Sequence, residues 1–172
     1  LAARATRGRR ARDDGGRFAA RGRVQPRLLR RLLGHAFFRR RPPKSTGREE
    51  FGAALLPAFR GLGAPDALAT ATAFTAASVA DQLARWLPAA RRATVYAGGG
   101  GTRNPALVRA LRAALAPRRL RPVAALGLPG DALEAVCFAL LGWARLRGRP
   151  NVLPAVTGAR RAACAGVLVP AS

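Results

Sequence analysis

Between residues 94 and 148 the sequence sets out a strand, a glycine turn, a helix, a second strand and a second helix, and that order admits few folds. Thr94-Val95-Tyr96-Ala97 has the composition of a short strand and runs straight into Gly98-Gly99-Gly100-Gly101. Asn104-Pro105 then supplies a helix-capping side chain followed by proline at the first helical position, which predicts a helix to about Leu115. Pro122 to Leu126 reads as the second strand. Gly130 opens another helix that ends near Arg147-Gly148. Two strands joined through a helix lie parallel, so the segment predicts an α/β architecture.

Upstream, Pro65 to Leu87 predicts a long helix ending at Pro88, with Leu68, Ala71, Phe74 or Thr75, Ser78 or Val79, Gln82 or Leu83, and Trp86 at helical spacing. Pro26 to Leu33 reads as a short helix with four leucines on one face, and Pro42-Pro43 starts an extended segment. Leu1 to Gly22 is rich in Arg and Gly and carries a turn at Asp13-Asp14-Gly15-Gly16. It is expected either to be disordered alone or to pack on an upstream part. The chain begins at Leu1 and contains no Met, so a cut or processed N-terminus is expected. No internal repeat is found.

The formal charge is +23, and arginine supplies all of the basic residues except Lys44. A nucleic-acid surface would cluster these charges and interleave aromatics. Arginine is dense only in the first third, where Phe18, Phe37 and Phe38 are the few aromatic residues, so nucleic acid is the lesser reading and compositional bias the greater. Cys137 and Cys164 sit in apolar surroundings and are expected to be buried free thiols. The longest apolar run, Ala135 to Leu141, is far short of the ~20 residues of a membrane span and is expected to be a buried helix segment.

Four segments carry groups suited to chemistry. The glycine run brings bare backbone close to a ligand, and the helix after it adds N–H groups and the positive end of a dipole, which suits phosphate or a nucleotide as well as a plain turn. It is neither a P-loop nor a dinucleotide fingerprint. Lys44-Ser45 follows two prolines rather than a glycine cradle, and Arg103 stands where the fingerprint's third glycine belongs. The second segment, Pro42 to Phe51, gathers Lys44, Ser45, Thr46, Gly47, Arg48 and Glu49, with Thr46 and Glu49 at capping-box spacing. The third, Gly127 to Ala135, places Asp131 and Glu134 at the same spacing, either as a cap or with a carboxylate facing a sugar hydroxyl. The fourth, Asn151 to Ala159, reads as an ordered loop.

Taken together, these segments resemble the anhydro-N-acetylmuramic acid kinase family. Pro42 to Glu49 matches its P-P-K-S-T-G-R-E segment, and Gly99 to Pro105 its G-G-G, small residue, R-N-P run. Gly127 to Ala135 matches G-[IL]-x-G-D-x-x-E-A, and Leu153 to Ala159 matches L-P-x-V-T-G-A. His35 and the helix through Thr72 to Ala76 also fit. The resemblance implies an actin-like, ribonuclease-H-like sugar-kinase fold, of which this would be the C-terminal lobe, a mixed sheet with packed helices. Residues 1–24 would be the remnant of an N-terminal or interlobe region, and residues 25–172 the lobe. It implies ATP with Mg²⁺ as cofactors, 1,6-anhydro-N-acetylmuramic acid as substrate, a homodimer, no membrane, and a cytoplasmic location. By the same resemblance Gly99, Gly100, Gly101 and Asn104 approach the nucleotide and Glu134 the sugar, while Lys44 to Glu49 form a family signature. The family's catalytic aspartate lies in a D-T-G-P-G-N segment. Neither Asp13 nor Asp14 sits in that motif, so the base is expected upstream and the chain is expected to be inactive alone.

Overall fold

A computed structural model describes residues 1–9 and 11–169. The helices α1 (Ala2–Ala5), α2 (Arg17–Arg21), α3 (Pro26–Leu33) and α4 (Arg48–Phe51) precede the long α5 (Ala64–Trp86). Then come β1 (Thr94–Ala97), α6 (Pro105–Leu115), β2 (Arg119–Pro122), α7 (Leu133–Leu146) and α8 (Pro154–Thr157). Among the described residues no helix is long and apolar enough to cross a membrane.

The predicted crossover forms. β1 and β2 pair in parallel, with Thr94 opposite Arg119 and Ala97 opposite Pro122, and α6 connects them. The fold is mostly helical α/β, and its sheet has two parallel strands among the described residues. The second strand lies three residues earlier than the sequence suggests. The apolar Val123–Leu126 is a 3-10 turn leading to Gly127, whose φ of 79° only glycine adopts easily. Pro122 lacks an amide hydrogen, so it suits the end of the ladder.

The core gathers around the first half of α5. Ala67, Leu68, Ala69 and Thr70 are all buried. Leu68 packs with Ala2, Ala19 and Ala106, while Ala67 packs with Leu32 and Phe59. α1 and α2 thus pack onto α5, and α2 also meets α6. Small side chains permit the approach: a Cβ added to Gly22 would collide with the carbonyl of Pro65. Thr70 Oγ1 donates to Asp66 O at 2.7 Å and accepts from Gln25 N at 3.0 Å, tying the start of α3 to α5. At the other end of α5, Arg118 donates to the carbonyls of Leu83, Leu87 and Ala90, where a cation also meets the negative end of the helix dipole.

Two expectations about burial fail. Ala135 to Leu141 is helical, yet no residue of α7 is buried and Phe138 is 73% exposed. Cys137 is exposed and Cys164 only half-buried, although both thiols are free as expected. Apolar composition predicted the helix, but burial needs a neighbouring surface, and the described elements cover little of α7.

Candidate functional site

The glycine loop is held from two sides. Gly99, at φ 79°, donates its amide to Gly130 O at 3.1 Å, which fastens the loop to the turn before α7. A Cβ on Gly98 would lie 2.9 Å from Val123 Cγ1 and 3.0 Å from Leu133 Cδ2, so the backbone there needs glycine. Thr102 closes the turn by donating its hydroxyl to Gly99 O at 2.7 Å. A Cβ at Gly99 or Gly100 would meet nothing within 4 Å, so this part of the loop faces open space.

Asn104 is the cap that the sequence predicts. Its Oδ1 accepts from Ala106 N at 3.0 Å and Leu107 N at 3.1 Å, and Pro105 takes the first helical position. The cap changes how an anion would be held. Two early N–H groups of α6 are already satisfied, whereas the amides of Gly100 and Gly101 have no internal acceptor among the described residues. Those two amides, rather than the helix terminus, are the donors available to a phosphate.

Arg103 pairs with Asp131 across the gap between the glycine loop and the turn before α7. Both side chains are largely exposed, so the pair adds at most about 1 kcal/mol. Together with Thr102, Val123 and Gly130 they line a cleft of about 240 Å³. Asp131 is therefore an ion-pair partner. The capping box with Glu134 does not form, because α7 starts after Ala132 without a side-chain cap. Glu134 is exposed in the first turn of α7, next to Leu133 beneath the glycine loop.

The signature segment meets a different part of the fold. Lys44 Nζ donates to Phe37 O at 3.0 Å and to Gln82 Oε1, and it lies 4.6 Å from the centre of the Phe37 ring and 5.6 Å from that of Trp86. Burial pushes its ammonium below the usual lysine range, and Arg85 pushes the same way against Asp81. The chain's single lysine thus pins the segment to α5. Gln82 completes the joint by donating to Phe38 O at 3.1 Å and accepting from Trp86 Nε1 at 3.1 Å. Its importance escaped the sequence reading, although a polar residue on the apolar stripe of α5 was the available signal.

The second expected capping box is also replaced. Gly47 stands at the N-cap of α4, and Thr46 Oγ1 bonds Glu50 Oε2 at 2.7 Å instead of capping opposite Glu49. Ser45, Arg48 and Glu49 are exposed. Thr46, Arg48, Phe37, Phe51, Phe74 and Gln82 contribute to the wall of a mainly apolar groove of about 920 Å³.

The four motifs therefore come together as two pairs. The glycine loop joins the Gly127 to Ala135 segment. Pro43 lies beside Gly158 of the fourth segment, where an added Cβ would be 3.4 Å from Pro43 Cγ. Among the described residues no hydrogen bond or ion pair links one pair to the other. His, Cys, Asp and Glu side chains form no group of three or more suited to a metal among those residues.

Comparison with known proteins gives the same family along the whole chain. The family model for anhydro-N-acetylmuramic acid kinase matches residues 2–171. The anhydro-N-acetylmuramic acid kinase of Burkholderia thailandensis is 49% identical over 166 residues, which is 92% of this chain and 43% of that protein. The protein of the same name from Synechococcus sp. strain CC9605 is 42% identical over 170 residues, 95% of this chain and 45% of its own length. The chain thus spans less than half the length of these curated relatives. On the family match and these identities, the chain belongs to the anhydro-N-acetylmuramic acid kinase family.

Proposed function

We propose that this chain forms the nucleotide-facing, C-terminal part of a cytoplasmic kinase that opens the 1,6-anhydro ring of 1,6-anhydro-N-acetylmuramic acid and phosphorylates O6. The product would be N-acetylmuramic acid 6-phosphate, an intermediate in peptidoglycan recycling. In this reading residues 25–172 are a lobe of an actin-like homodimeric enzyme, and residues 1–24 belong to its N-terminal or interlobe region. The observation that carries the reading is the open glycine loop, clamped to Gly130 and presenting the unpaired amides of Gly100 and Gly101.

Those amides would receive nucleotide phosphates, with Gly99 supplying the turn and Asn104 holding the helix behind it. ATP supplies the transferred phosphoryl group. A Mg²⁺ would arrive with the phosphates and be held mainly by them. Glu134, one residue beyond the Leu133 contact with the loop, would accept a hydrogen bond from a sugar hydroxyl. None of the eight carboxylates of this sequence lies in a D-T-G-P-G-N segment, so the general base that activates water would come from elsewhere in the enzyme. Thr46 and Arg48 line the apolar groove, and Lys44 holds their segment to α5.

The test is a coupled ADP-release assay on a complete family kinase carrying this sequence as its C-terminal part. Glu134→Gln is expected to remove sugar-dependent turnover while leaving nucleotide binding intact. Unchanged turnover would take Glu134 out of the site. The 172-residue chain is expected to bind nucleotide weakly without turnover. Sugar-dependent ADP release by that chain would refute an external base.

A further inference from the structure

We infer that a second anion site, selective for small oligophosphates, lies at the opposite end of the strands from the glycine loop. Arg112 of α6 and Arg119 and Arg121 of β2 line one concavity of about 520 Å³, together with Arg118, Thr94 and Leu120. Arg119 and Arg121 are two apart on the strand and so share a face. Thr94 and Arg119 open the two strands and pair with each other, whereas the glycine loop follows Ala97 at the far end. Three strand steps separate the two ends by about 10 Å; Arg121, opposite Tyr96, lies nearest the glycine loop, yet the hollow and the cleft beside that loop share no lining residue.

The charge in this concavity is uncompensated. Between Asp81 and Asp131 the sequence contains no carboxylate. Those two are already engaged, Asp81 with Arg85 and Asp131 with Arg103. Among the described residues the side chains of Arg112, Arg119 and Arg121 form no ion pair and donate no hydrogen bond to protein. Arg118 differs, because its guanidinium is committed to the carbonyls at the end of α5 and forms a fixed wall. Three free guanidinium forks around one hollow suit an anion with several oxygens on adjacent phosphorus centres. No aromatic ring lines the hollow, so stacked nucleic-acid bases would find no platform there.

Isothermal titration of the 172-residue chain with sodium tripolyphosphate, at constant ionic strength, tests the site. A tight saturable phase is expected, above weaker binding at the glycine loop. Arg119→Gln with Arg121→Gln should weaken it by roughly a hundredfold, about tenfold for each charge-assisted contact. The control Arg91→Gln with Arg92→Gln removes the same charge nearby and should leave the tight phase within about twofold, whereas Gly100→Asp, which places a carboxylate on the glycine loop, should weaken only the weaker phase. Equal loss in the control pair would show a diffuse charge effect and overturn the proposal. Loss of the tight phase in Gly100→Asp alone would assign that phase to the glycine loop and also overturn the proposal. So would an absence of saturation with tripolyphosphate alongside tight, Arg119- and Arg121-dependent binding of duplex DNA. If the strand variant does not fold, Arg112→Gln on the facing helix reads the same site, with an expected tenfold loss and refutation if affinity is unchanged.

Discussion

Replacing Asn104 separates its observed role as a structural cap from the place beside the bound nucleotide proposed for it. Its Oδ1 accepts from Ala106 N and Leu107 N, so Asn104→Ala leaves two amides of α6 without their protein acceptor. Loss of such a cap costs about 1 kcal/mol, within a range of roughly 0.5–2. The side chain also fills the space against Gly16, where an added Cβ would lie 2.8 Å from Ala106 and still closer to Asn104, so truncation loosens the joint between the N-terminal turn and α6. For a chain of this size the expected fall in melting temperature is about 2–4 °C per kcal/mol. Asn104→Asp keeps the acceptor and should keep the stability, while its negative charge beside the glycine loop should weaken binding of a nucleotide triphosphate. Thermal unfolding followed by circular dichroism, paired with nucleotide titration of both variants, reads the two effects independently. If Asn104→Ala unfolds at the same temperature as the parent yet loses nucleotide affinity, the capping argument fails.

Three further substitutions test the scaffold. Gly22→Ala drives a methyl into the Pro65 carbonyl and within 2.7 Å of Asp66 N, so chemical denaturation should show a loss of about 1–3 kcal/mol. Arg118→Ala releases the carbonyls of Leu83, Leu87 and Ala90 and should cost about 1–2 kcal/mol, with Arg118→Lys recovering only part because one ammonium cannot span the same set. Lys44 is depressed below its ordinary value of 10.5, so over the window ending there the unfolded chain binds more protons than the folded one. Stability should therefore rise with pH through that window, and denaturation midpoints should lose this component of the slope in Lys44→Met.

How far the sequence reveals the fold depends on what each signal measures. Thr94–Ala97 and Pro26–Leu33 lie where composition and proline punctuation place them, and α5 begins and ends within a residue of its expected bounds. Asn104-Pro105 was legible because capping is local chemistry that needs no distant partner. The second strand was displaced because arginines at 119 and 121 conceal a short strand, while Val123 to Leu126 imitates one. The capping-box spacings at Thr46 and Asp131 were present, but other partners took those side chains. Glu50 bonds Thr46 and Arg103 pairs with Asp131, and only the folded chain brings the second pair together. The joint between Lys44 and Gln82 spans 38 residues and was equally invisible in local spacing.

The same distinction governs α7. Periodicity and apolar content make it a helix, yet Phe138, Leu140, Trp143 and Leu146 remain exposed, so its side chains do little to fix it on the fold. Its beginning is held by the glycine loop instead: Gly99 bonds Gly130, Arg103 pairs with Asp131, and Leu133 lies beneath Gly98. All three contacts fall within the four residues before Glu134. That carboxylate therefore keeps its place relative to the glycine loop even if the far end of α7 shifts. Residues in the first turn of α7 are held in register with the backbone amides at Gly100 and Gly101, which is the geometry that the proposed pairing of nucleotide and sugar would require.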